Sequence, residues 1–150
     1  MLGGGGFGSD SPKLGYAQHS KVVSAGQSDG TAPTSIYLQS GSKGITLVDN
    51  SLVCFKVQAV GMRYAGSYGT GANGDFVWTK IEGYALMKDT PVLNFTETVV
   101  KGYGTYAVFQ GVTPSINNSV LYYTVNASQD VDVNWVITTY LYETRTDIDI

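Results

Sequence analysis

Hydrophobic and polar residues alternate along most of this chain, and the cleanest stretch runs from Val131 to Leu141. Val131, Val133, Trp135, Ile137 and Leu141 fall on one face, with Asp132, Asn134, Thr138 and Tyr140 on the other. A period of two in a β-branched and aromatic run marks a half-buried strand. The run from Leu52 to Tyr64 repeats the pattern, with Val53, Phe55, Val57 and Ala59 on one face and Lys56 and Gln58 opposite. The same alternation extends back to about residue 20, and nowhere does a helical period compete with it.

Turn chemistry cuts the pattern into short strands. Gln18 to Ala25, Thr34 to Gln39 (Ile36 and Leu38 on one side) and Gly44 to Val48 come first. Leu52 to Tyr64 and Asp75 to Lys88 flank a glycine-rich hairpin loop from Gly66 to Gly74. Val92 to Val100, Thr105 to Gly111, Ser119 to Ala127 and Val131 to Glu143 follow, with breaks expected at Thr90-Pro91, Lys101-Gly102-Tyr103-Gly104 and Thr113-Pro114. Evenly spaced strands of this kind predict an all-β fold, an antiparallel β-sandwich of jelly-roll-like form. The domain is expected over residues 15–146, with a tail at 147–150. Residues 1–14, rich in glycine, read as a flexible arm. Leu2 and Phe7 leave two readings open there: a disordered tail, or an arm that orders against a neighbouring subunit.

Composition narrows the function. One domain suits 150 residues, and a chain of that length buries enough surface to need no disulfide or metal staple. A net charge of −3 with scattered lysines offers no footprint for nucleic acid. Cys54 is the one cysteine, so neither an intrachain disulfide nor a cysteine-based zinc site is expected. Its position between Val53 and Phe55, opposite the apolar set, predicts a small residue packed against a second layer. No segment reads as a signal peptide or as the roughly 20 apolar residues of a membrane helix, which predicts synthesis in the cytoplasm without membrane association.

Catalytic and cofactor patterns fail on context. Gly69-Thr70-Gly71-Ala72-Asn73-Gly74 fits G-x-G-x-x-G, but a dinucleotide site needs a helix after it, and Phe76-Val77-Trp78 reads as strand. His19, the single histidine, reads as a surface or edge-strand residue, with no nucleophile elbow to serve. The acidic residues have no calcium-loop or paired-carboxylate spacing. No enzyme, metal or cofactor is therefore expected. The eleven tyrosines point instead to interfaces, since each offers a broad apolar face with a polar tip. Leu2, Phe7, Tyr64, Tyr68, Tyr140 and Tyr142 are the candidate interface residues.

The order of segments resembles a β-rich domain of tailed bacteriophages. The resemblance is carried by Gly15-Tyr16-Ala17-Gln18-His19-Ser20, Val53 to Val60, Trp78 with Ile81-Glu82-Gly83, Ile116 to Val125, and Val133-Asn134-Trp135-Val136-Ile137-Thr138-Thr139. Such domains end tail fibres and tailspikes and also occur as small virion proteins. The resemblance implies a non-enzymatic virion component, trimeric or otherwise repeated. A short arm in place of a fibre shaft favours a capsid decoration (cement) protein contacting itself and the major capsid protein. The alternative is a tail-fibre tip that binds a host receptor or glycan.

Overall fold

A computed structural model describes residues 16–30, 34–36, 44–67, 71–105, 109–128 and 130–145. The expected arm at 1–14, with Leu2 and Phe7, lies outside the described residues, as do Leu38, Tyr68 and the tail at 147–150. Among the described residues every regular element is a strand: β1 (Tyr16–Ser28), β2 (Thr34–Ile36), β3 (Ile45–Thr46), β4 (Ser51–Ala65), β5 (Phe76–Met87), β6 (Val92–Tyr103), β7 (Phe109–Asn117), β8 (Val120–Ala127) and β9 (Asp132–Arg145). The all-β, antiparallel sandwich read from the sequence is the observed fold.

Five strands form the larger sheet in the order β1-β9-β4-β5-β6, every pair antiparallel. The smaller sheet is built around β8. Both β2 and β3 pair with β8 along one edge, at Ile36↔Tyr123 and Ile45↔Leu121, and β7 pairs with the other edge. Alternation fixes which face of each strand turns inward. On β4, Val53, Phe55, Val57 and Ala59 are buried, and on β9, Val133, Trp135, Ile137 and Leu141 join them. Val112, Leu121, Tyr123 and Val125 supply the facing layer.

Trp135 is the largest side chain in that core. In register it lies between Gly26 of β1 and Gly61 of β4. A Cβ on Gly61 would come within 2.6 Å of the indole ring, so glycine there makes room for it. The indole N–H donates to Ser28 Oγ at 2.8 Å, and Phe109 from the smaller sheet meets the ring edge-on at 6.2 Å. Tyr123 and Thr139 join hydroxyls across the sandwich, and burial pushes the Tyr123 phenol well above its usual range. Asp75 ties the loops at one end, its carboxylate accepting from the backbone N–H groups of Ala72 and Thr105.

Three expectations need correction. Lys101-Gly102-Tyr103 is no break: β6 continues through it, with Lys101 opposite Trp78 and Tyr103 opposite Phe76, and ends only before Gly104. Thr113-Pro114 is no break: β7 runs through it, with Pro114 opposite Tyr123. Among the described residues β7 pairs only with β8, and an edge strand tolerates the N–H that proline lacks. The strand expected at Thr105 to Gly111 therefore sits later, at Phe109–Asn117. Cys54 is exposed rather than packed under a second layer. The smaller sheet covers only the inner face of β4, and strand alternation points residue 54 the other way.

Candidate functional interface

The outer face of the five-stranded sheet reads as rows across the strands. Lys21, Tyr140, Lys56, Glu82 and Thr96 form one row, from β1 to β6. Val23, Thr138, Gln58, Lys80 and Thr98 form the next. Toward one end lie Val136, Val60 and Trp78, then Met62 and Phe76. Toward the other lie His19, Tyr142, Cys54 and Tyr84, then Leu52 and Leu86.

This face is unusually apolar for one that meets water. Twelve large hydrophobic side chains are exposed among the described residues, and all twelve belong to strands of this sheet, although Val99, opposite the buried Thr79 on the edge strand, lies in the inward phase. Val136 and Met62 keep 49% and 47% of their surface exposed in the middle strands, where an antiparallel sheet with one wet side carries polar groups. The smaller sheet does carry them. Its outer positions include Ser35, Thr46, Thr113, Ser115, Thr124 and Asn126. Exposed apolar clusters at both ends of one sheet face, with two polar and charged rows between them, make that side the candidate contact face.

Two aromatic contacts organise the centre. His19 stacks on Tyr142 with ring centroids 4.8 Å apart, and Lys21 Nζ stands 5.7 Å over the Tyr140 ring. A shallow groove of about 300 Å³ opens between β9, β4 and β5, lined by Lys56, Gln58, Lys80, Glu82, Tyr140 and Tyr142. Among the described residues, no three His, Cys, Asp or Glu side chains converge as a metal site would require. No helix there is long and apolar enough to cross a membrane.

Of the tyrosines expected at an interface, Tyr140 and Tyr142 come together on this face. Tyr64 shares the face and is exposed, but it lies ten residues along β4 from Cys54, the partner of Tyr142. At strand rise that is about 33 Å away. Tyrosine was a partial guide. Val23, Val60, Met62, Leu86 and Val136 matter as much, and their signal is an apolar residue in the outward phase of an alternating strand.

No family model, curated protein or solved structure matches this chain.

Proposed function

We propose that the protein is a non-enzymatic structural component of a bacteriophage virion, a capsid decoration protein that packs its five-stranded face against neighbouring protein. The confinement of all twelve exposed large hydrophobics to that sheet supports this reading most strongly. Five strands about 4.8 Å apart and about 12 residues long span roughly 1,000 Å². A stable protein interface takes about 800 Å² from each partner. The test is twofold. Densitometry of purified virions should give hundreds of copies per particle. A Val60→Glu, Val136→Glu variant, folded by circular dichroism, should fail to bind stripped heads. A handful of copies per particle, or normal binding by the variant, would count against the proposal.

The groove beside Tyr140 and Tyr142 favours one second reading, a tail-fibre tip that holds a host glycan. An exposed aromatic ring flanked by Lys56, Gln58 and Glu82 offers a stacking surface with hydrogen-bonding groups around it. Glycan-array binding that is lost in Tyr142→Ala would select this reading.

A further inference from the structure

Charge is divided unevenly over the molecule. The outer face of the five-stranded sheet carries Lys21, Lys56, Lys80 and Lys101 against the carboxylates of Glu82 and Asp132. The whole chain is nevertheless acidic, at −3. The apolar face is thus cationic on a protein whose remaining surface is anionic.

Part of that acidity sits on a second concave surface. A groove of about 680 Å³ opens between the turn after β5 and the β7–β8 hairpin. Asp49 and Asp89 are exposed on its wall, above Pro91, the half-buried Leu93 and the half-buried Ile116, and Lys88 stands in the adjoining hollow that both carboxylates share, leaving the surface net anionic. The groove therefore has the chemistry of the sheet face with the sign reversed: carboxylates over apolar groups, where the face sets ammoniums over apolar groups.

We propose that the five-stranded face of one copy docks on the Asp49–Asp89 groove of a second copy, in a head-to-tail contact. This rests on the assembly role proposed above and names the partner. Packing the face against its own twin would press Lys56 and Lys80 toward like charges in a drying centre, which is unfavourable. Packing it on the groove pairs those lysines with carboxylates and covers apolar surface on both sides. A heterologous contact of this kind gives a ring where its rotation closes and an open filament where it does not, never a two-fold dimer.

Analytical ultracentrifugation of the full chain provides the test. The wild type should sediment above monomer mass at low salt and lose mass in molar salt. Lys56→Glu with Lys80→Glu, and separately Asp49→Lys with Asp89→Lys, should each weaken association roughly 100-fold. Mixing the two variants should restore association, because the native face of one meets the native groove of the other and the two reversed surfaces are complementary as well. Unchanged circular dichroism keeps misfolding out of the comparison. A wild type that stays monomeric at every concentration, or mixed variants that stay monomeric, overturns the proposal. So does a two-fold dimer indifferent to both reversals. A monomer that still binds stripped heads through Val60 and Val136 would overturn this contact and leave the assembly role standing.

Discussion

At the scale of single residues, Trp135 has the most to lose. Its ring fills the space that Gly61 leaves open, and its N–H satisfies Ser28. Trp135→Ala is expected to cost about 3–5 kcal/mol, the range of large aromatic truncations in a core. A chemical-denaturation midpoint checks it, and an unchanged midpoint would mean the indole contributes nothing. Glu97 makes a pH prediction. Its carboxylate accepts from Val112 N–H at 3.3 Å, linking β6 to β7, while burial outweighs that bond and raises its pKa. A raised carboxyl pKa favours the protonated folded state. Its stabilisation is full below the unfolded carboxylate pKa and is lost as pH rises through the folded value. Glu97→Gln should therefore be more stable than wild type near neutrality, with the gap closing on acidification. Parallel urea titrations at several pH values decide this. The inward place of Trp135 was legible because Val131, Val133, Trp135 and Ile137 keep one phase, even though Val136 is apolar in the other. Glu97 was not, since a polar residue in the inward phase of an edge strand looks like any exposed one.

At the scale of elements, alternation located most strands and fixed their faces, because a one-residue slip would turn every side chain of β4 or β9 over. It misplaces β7 because Thr113-Pro114 reads as a break from sequence alone, whereas a strand paired on one side only accommodates proline. It also missed the β7–β8 turn. Asn118 and Ser119 both have positive φ, 48° and 61°, and they connect the paired residues Asn117 and Val120. That is the two-residue turn matching the twist of a hairpin, and serine is a poor occupant of its second position. Ser119→Gly should relieve the left-handed cost of about 1–2 kcal/mol while adding some unfolded-state freedom. A net gain of roughly 0.5–1 kcal/mol is expected, read as a higher melting temperature. The outer face was only half legible. Tyrosines drew attention to it, but register was needed to show Val136, Val60 and Val23 lying near one another across three strands.

For the whole molecule, the virion role we propose leads to the expectation of a closed homotrimer; light scattering measures its mass directly, and a monomer at high concentration would count against it. The arm expected at residues 1–14 lies outside the described residues and is tested by removing it. Its deletion should leave the β circular-dichroism spectrum intact and weaken attachment to stripped particles. Normal attachment of the shortened protein would remove the arm from the mechanism. The pairing of β1 with β9 has a mechanical consequence. Tyr16 lies opposite Arg145, so the first residue of one strand adjoins the last residue of the other at the same end of the sheet. A tensile load applied between those two ends would not shear the pair. It would peel the strands apart one rung at a time, so a chain stretched by its ends in optical tweezers would yield at low force.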